Sequence, residues 1–447
     1  MMGRNDSLDV LKRALHYADS GQAEARLMGE DLSLTRFANS TIHQNLERKN
    51  AVLQVRVVQG KKIGTASTNN LDDASVRRVV DTARSLAEMQ EDNEDFVSLP
   101  EPARPGDTVN FYESTSSYTP EQRAQDVGVI AADADDNGLS AFGAHITTRE
   151  ELAVMNSLGV GAYDQSTYAY LRTVIEGDNG TGYADYLDRD VSNIDARAVA
   201  REAVDRALRA QNPQPLPTGE YEVIFEPYAV ADILRFLGML GFSALSVQEG
   251  RSFMAGKFGE KITGDKITIW DDGLDARTLN AAVDCEGVPK QRVNLITGGV
   301  AEGVVYDSYT AHKEGKKSTG HAHFRRGNVS DTPANMVMLN GDSSVQEMVE
   351  KTGKGLLVTR FHYTHCPEPR EVVMTGTTRD GIFYVEDGEI KYPVRNMRLT
   401  DSVLRMFEHV ELVSKATKLQ RDWWSTFTSV LPAIYTSSCI WTGSTEF

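Results

Sequence analysis

Three prolines within five residues, in Asn212-Pro213-Gln214-Pro215-Leu216-Pro217, constrain the fold of this chain more than any other stretch. Proline lacks the amide hydrogen that helices and inner strands need, and its ring fixes φ, so the segment forms a stiff extended connector. It divides the 447 residues into two pieces, each of ordinary domain size.

The texture changes across this boundary. Before it, Ser7 is placed to cap a helix carrying Leu8, Leu11, Leu15 and Ala18 on one face. Alternating Leu32 and Leu34, then Leu53, Val55 and Val57, predict strands, with a turn at Gln59-Gly60-Lys61-Lys62. Val76, Val79, Val80, Ala83, Leu86 and Ala87 fall at helical spacing. The proline-rich stretch from Leu99 to Asp107 predicts a loop. From Pro120 to Ala210 the pattern predicts helix, strands, a hairpin turn at Asp178-Asn179-Gly180 and a long Ala-rich helix capped by Asn193. After the boundary come a strand at Glu222 to Phe225 and a helix from Tyr228 to Leu240. Short strands follow at 267–270, 293–296, 300–306, 356–361, 372–375 and 382–385, with turns at Gly298-Gly299 and Asp387-Gly388. The expectation is an α+β protein: a mixed α/β N-terminal domain (1–212), then a mainly β C-terminal domain (218–447) with few helices.

Charge narrows the function. A net charge of −17 with basic residues scattered singly or in short pairs such as Arg325-Arg326 disfavours nucleic-acid binding, which draws its affinity from Lys and Arg on phosphates. Three distant cysteines (Cys285, Cys366, Cys439) are no disulfide framework. With no apolar leader and no long apolar run, they predict a cytoplasmic chain that does not enter a membrane. Asp133-Ala134-Asp135-Asp136-Asn137-Gly138 starts like a calcium loop, but the position that needs a bidentate Glu holds Ala144. Gly177 to Gly182 is Gly-rich without the Lys-Ser/Thr of a phosphate loop. His362-Tyr363-Thr364-His365-Cys366 offers two imidazoles and a thiol, all good zinc ligands. On a regular strand the two histidines point to opposite faces, so a site needs a bend, for which Pro367 gives a reason. His321 and His323 alternate suitably to complete it. Trp423-Trp424 and Trp441 predict apolar anchoring of the tail.

Three blocks then carry a family resemblance: Val247-Gln248-Glu249-Gly250-Arg251-Ser252-Phe253-Met254, Asp284-Cys285-Glu286-Gly287-Val288-Pro289 and Lys317-Ser318-Thr319-Gly320-His321-Ala322. With Gly355 to Thr359 and Glu386 to Ile390, their order and spacing resemble the TldD/PmbA family, also called modulators of DNA gyrase. The resemblance implies a metallopeptidase. In its TldD branch a helical His-Glu-x-x-x-His binds zinc, and matches the region Gln248 to Phe253. Here Glu249 stands without either His. A carboxylate without a metal to acidify water is too weak a base for peptide hydrolysis. The chain is therefore similar to the PmbA (TldE) branch. That implies a non-zinc subunit with no cofactor of its own, paired in a dimer with a TldD-like zinc-bearing partner and acting on extended, unfolded or small modified peptides. Glu249 is the candidate catalytic residue; Ser318, Thr319, Gly320 and His321 are expected to wall the cleft or face the partner. The alternatives are a self-sufficient zinc peptidase using His362, His365 and Cys366, and a catalytically silent binding or scaffold protein.

Overall fold

The computed structural model describes residues 1–19, 21–325, 328–421 and 427–444. The first half comprises α1 (Arg4–Ala18), β1 (Gln22–Ala38), β2 (Thr41–Gln59), β3 (Lys62–Thr68) and α2 (Asp73–Met89). It continues with one turn of helix α3 (Glu113–Ser116), then α4 (Pro120–Asp136), β4 (Ser140–Asn156), β5 (Gly161–Glu176), β6 (Thr181–Asp188) and α5 (Ala196–Arg209). The strands form one antiparallel sheet in the order β3-β2-β1-β4-β5-β6. Period-two alternation sends Ala25, Leu27, Leu53, Val55 and Val57 to one face, where α1 and α2 cover them. Farther along the sheet, Phe37, Ala141, Leu171 and Ile175 meet α4 and α5. The opposite face, with Tyr168, Tyr170 and Leu187, turns toward the second half, where β6 approaches β15 and β18.

The second half runs β7 (Gly219–Phe225), α6 (Pro227–Gly241), α7 (Ala244–Gln248), β8 (Ile269–Asp272), β9 (Arg292–Thr297), β10 (Val300–Ala301) and α8 (Ser308–Lys313). Next come β11 (Ala322–Arg325), β12 (Asn328–Asp331), β13 (Asn335–Met338), α9 (Val345–Lys351), β14 (Lys354–Glu368) and β15 (Val373–Glu386). The chain ends with β16 (Glu389–Pro393), β17 (Met397–Ser402), α10 (Val403–Glu408), β18 (Val410–Arg421) and β19 (Thr428–Ser444). Strand β19 bonds both β17 and β7, so the path β7-β14-β15-β17-β19 returns on itself and closes a barrel; β13, β8, β9 and β10 extend the sheet beyond it. Closure pairs the β7 edge that would otherwise be open to aggregation. Helix α6 packs Val230, Ile233, Leu234 and Leu237 onto this core beside Phe225, Phe361 and Trp441. The architecture is α+β with a mainly β C-terminal part.

Local expectations are corrected at several points. Ser7 sits inside α1, whose first turn is closed by the Ser7 amide on the Gly3 carbonyl (3.0 Å). Asp195, not Asn193, caps α5, its carboxylate accepting from the Arg197 and Ala198 amides. Only Val300–Ala301 of 300–306 is a strand, and Val305 makes a lone bridge to Ser243. The two runs at 372–375 and 382–385 are one strand, kinked where Asp380 and Gly381 take positive φ. Trp441 is core, buried and stacked on Phe361. Trp423-Trp424 and Arg326 lie outside the described residues. No helix among the described residues is long and apolar enough to cross a membrane.

Candidate functional site

The blocks at 284–289 and 317–322 meet at the seam between the two halves. The Asp284 carboxylate organises their junction, accepting from the amides of Glu286, Val288 and Ala322, each at 2.9 Å. Gly320 has φ +72°, and a Cβ there would lie 2.2 Å from the Pro289 carbonyl oxygen, so the two loops can meet only through glycine.

A buried ion network crosses the seam below these loops. The Arg56 guanidinium of β2 donates to Glu24 of β1 and to Glu286 of the 284–289 loop, 2.9 Å each. Arg26 pairs with Glu24 and lies 3.2 Å from Cys285 Sγ. Glu286 also accepts from the Ser308 amide at the start of α8 (3.0 Å). Burial works against the Glu286 charge, but Arg56 more than compensates and holds it below the usual carboxylate range. Its neighbours go the other way. Burial and the Glu286 charge push Asp284 up to about 7 and raise Asp307. Burial and Asp307 push Asp331 up to about 7. Asp331 accepts from the Leu245 amide in the first turn of α7 (3.0 Å) and from Oγ of Ser243, the residue that caps that helix (2.8 Å). Burial also drives the Cys285 thiol up, so it is no thiolate nucleophile.

The residues matched to the zinc motif do not share a helix. Helix α7 ends at Gln248, and Gly250 takes φ +67°. Gln248 donates to the Thr310 carbonyl (2.8 Å) and to Glu314 (2.9 Å). Phe253 is buried edge-on to Phe242. Glu249 is exposed and receives Arg251 Nε at 2.6 Å. The longer helix of this region, α6, carries Asp232 and Arg235 as its charged residues and neither His nor Cys. A helical pair of imidazoles is therefore absent whichever of the two helices is matched to the motif.

His321 is fully buried, with Nε2 2.8 Å from Asp271 and Nδ1 2.9 Å from the Thr319 hydroxyl. This resembles an acid–base–hydroxyl relay, and Asp271 was not anticipated. Its only prior signal is a carboxylate inside an apolar strand, where a partner is obligatory. Burial holds His321 below its usual pKa, so the neutral ring donates Nε2–H to Asp271. The Thr319 oxygen is already taken by the Tyr306 amide (2.8 Å), and Ser318 bonds the Tyr306 carbonyl (3.2 Å) without reaching His321. The relay anchors the 317–322 loop to β8 and offers no free nucleophile.

His362, His365 and Cys366 lie on β14, where the register breaks between His362 and His365 and Tyr363 takes φ +55°. The bend foreseen from Pro367 thus falls at Tyr363. The Tyr363 ring lies 6.3 Å from one imidazole and 6.2 Å from the other. Cys366 packs against the core. His321 is committed to Asp271, and His323 meets Phe427. Burial, then Arg379 and Arg360, lower the His362 pKa, and the same two cations oppose a divalent metal. Among the described residues no three His, Cys, Asp or Glu side chains group to hold a metal ion. The donors present do not fit a zinc site of the peptidase kind.

Residues 218–443 match the PmbA/TldA metallopeptidase C-terminal domain, 113–211 its central domain and 23–87 its domain 1. An uncharacterized protein of Methanocaldococcus jannaschii is 29% identical over 270 residues, 60% of this chain; the chain spans only 62% of that relative's length. A Haemophilus influenzae protein named metalloprotease TldD homolog is 25% identical over 386 residues, 82% of this chain and 79% of its own. The crystal structure of TldE from Thermococcus kodakarensis has the same fold, with a TM-score of 0.89 at 24% identity, covering 98% of this chain and 99% of that one. The chain belongs to the PmbA/TldD metallopeptidase family.

Proposed function

We propose that this chain is the non-zinc, PmbA/TldE-like subunit of a heterodimeric cytoplasmic peptidase. A TldD-like partner carries the zinc, and the substrates are unfolded or small modified peptides bound in extended form. The observation that carries the reading is the donor set where a zinc helix is expected. Helix α6 has no His or Cys, Gln248 is bonded to Thr310 and Glu314, and Phe253 is core. A metallopeptidase cleft needs neutral imidazoles and an open metal position, so in this reading the chemistry belongs to the partner. This chain's part is to wall the cleft with the 317–322 loop and to admit extended chains.

Zinc content of the purified chain, by elemental mass spectrometry after gel filtration without chelator, tests this. Zinc far below one per chain, with peptidase activity appearing only on adding a TldD-like chain, is the expected result. Zinc near one per chain that is lost on His362→Ala or Cys366→Ala would overturn it.

A further inference from the structure

Where the bare face of the N-terminal sheet meets the barrel, two cavities of about 390 and 240 Å³ share Val174, Tyr183 and Arg360 and make one groove. Its charge is opposite in sign to that of the chain as a whole. In a chain of net charge −17, the groove is lined by five arginines (Arg36, Arg172, Arg360, Arg379 and Arg421) and two aspartates (Asp185 and Asp232). The fold sets this spacing. Arg36 of β1, Ala144 of β4 and Arg172 of β5 are in register on one sheet face. The small Ala144 leaves a trough between two cations whose strands lie about 10 Å apart. On the facing wall Arg360 and Arg379 are direct cross-strand partners on β14 and β15, an arrangement that repels unless an anion is near.

Part of this charge is already used. Arg360 pairs with Asp380 and lies over the Tyr183 ring at 4.2 Å. Asp185 is saturated by the Tyr170 and Tyr183 hydroxyls and by Gln420. Arg36 and Arg379 are exposed, and among the described residues neither has a carboxylate partner. Between the cations the walls are aromatic or apolar: Phe142 and Val174, both half-buried, and Tyr363, which is 74% exposed. Alternating cations and aromatic walls match an extended chain that presents carboxylates and apolar side chains in turn.

We propose that this groove binds the acidic segment of an extended peptide, with Arg36 and Arg379 as the free carboxylate receptors and the Phe142/Val174/Tyr363 surface taking the apolar side chains between them. This deepens the peptidase-subunit reading and rests on it. The groove would select acidic peptides and steer them onto a subunit that otherwise repels them. A nucleic acid fits less well, because Asp185, Asp232 and the overall negative charge oppose a run of phosphates.

Fluorescence anisotropy on the full chain tests this, using labelled peptides of about ten residues in which Phe alternates with Glu, with Ser or with Lys. The Glu peptide is expected to bind about tenfold or more tighter than the Ser peptide, and more weakly as salt rises; the Lys peptide is expected not to bind. Arg36→Glu/Arg379→Glu should remove that preference, while Arg104→Glu, in the 99–110 segment outside the groove, should keep it. Equal binding of Glu and Ser peptides overturns the acidic preference and leaves the peptidase reading standing. Failure of every peptide to bind, with a TldD-like partner present as well as without, ends both. Tighter binding of an oligothymidine than of the Glu peptide overturns the proposal in favour of a nucleic-acid groove.

Discussion

Arg56→Met is the most direct test of what holds the two halves together. The side chain is 14% exposed and bridges Glu24 and Glu286, which are 0% and 1% exposed. Methionine keeps much of the stem and removes the charge. Glu24 retains Arg26, but Glu286 keeps only the Ser308 amide and the weaker pull of Arg26, which is not bonded to it, while Asp284 and Asp307 stand near it. Removing one partner of a buried pair costs about 3–5 kcal/mol, because the other charge stays buried and unpaired. An unfolding entropy of about 2.1 cal/mol/K per residue, taken over the chain's 447 residues, gives roughly 0.9 kcal/mol/K, so Tm should fall by about 3–5 °C. The sign of the pH effect is fixed too. Without Arg56, Glu286 titrates above its unfolded value, so the variant is most stable below that value and loses stability as pH rises. The deficit in Tm is therefore larger near pH 8 than near pH 5. Adding Glu286→Gln should recover most of the loss, since both charges are then gone. Scanning calorimetry at the two pH values decides the matter. A single variant within about 1 °C of wild type at pH 8, or a double variant no more stable than the single, would refute the reasoning.

Three further outcomes follow from the same geometry. Gly320→Ala should destabilise far more than Gly250→Ala: both have positive φ, but only Gly320 meets a carbonyl oxygen at 2.2 Å, whereas Gly250 has nothing within 4 Å. The second change should cost about 1 kcal/mol by thermal melts, and parity between the two would refute the steric argument. Asp331 has a folded pKa of about 7 against an ordinary value near 3.9, so folding holds a proton between those values; the stability it confers is complete below about pH 4 and lost as pH rises through about 7. Asp331→Asn should flatten the decline in Tm between about pH 5 and 8, and an unchanged profile would exclude the group as its source. His321→Ala strands the Asp271 carboxylate in the core and should cost about 2–4 kcal/mol by chemical denaturation, while a loss below about 1 kcal/mol would show that the relay anchors nothing.

The legible parts of the fold are those set by neighbours in sequence. The turns at Gly60, Asn179-Gly180, Gly298-Gly299 and Asp387-Gly388 lie between paired strands, as their need for tight or left-handed backbone foretells. The helix from Val76 to Ala87 follows from its apolar stripe. Barrel closure by β7 and β19 was not legible, because it pairs residues such as Tyr221 and Cys439 that only the folded chain brings together. Cap positions slipped for a simpler reason: Ser7, Asn193 and Asp195 are all competent caps, and packing chooses among them.

The site divides along the same line. The His362/His365/Cys366 cluster invites a metal on ligand chemistry alone, yet the bulge at Tyr363 and the charges of Arg360 and Arg379 are facts of strand pairing, and both oppose one there. The same pairing creates the cationic groove, which a census of scattered arginines in an acidic chain cannot reveal. Arg36, Arg172 and Arg360 share no local pattern; they meet because β1 and β5 flank β4 and because β6 docks on β15. Net charge therefore bounds how the whole chain meets a polyanion at a distance, within about 8 Å of screening at physiological salt, while register decides what one groove accepts at contact. A net charge of −17 on the chain that holds a basic groove also disfavours nonspecific anions, since any long polyanion must first approach a molecule that repels it. A short acidic segment of an otherwise neutral peptide does not. That difference makes the ratio of acidic-peptide to oligothymidine affinity the informative quantity, and it should widen at low salt if both the surface and the groove act as described.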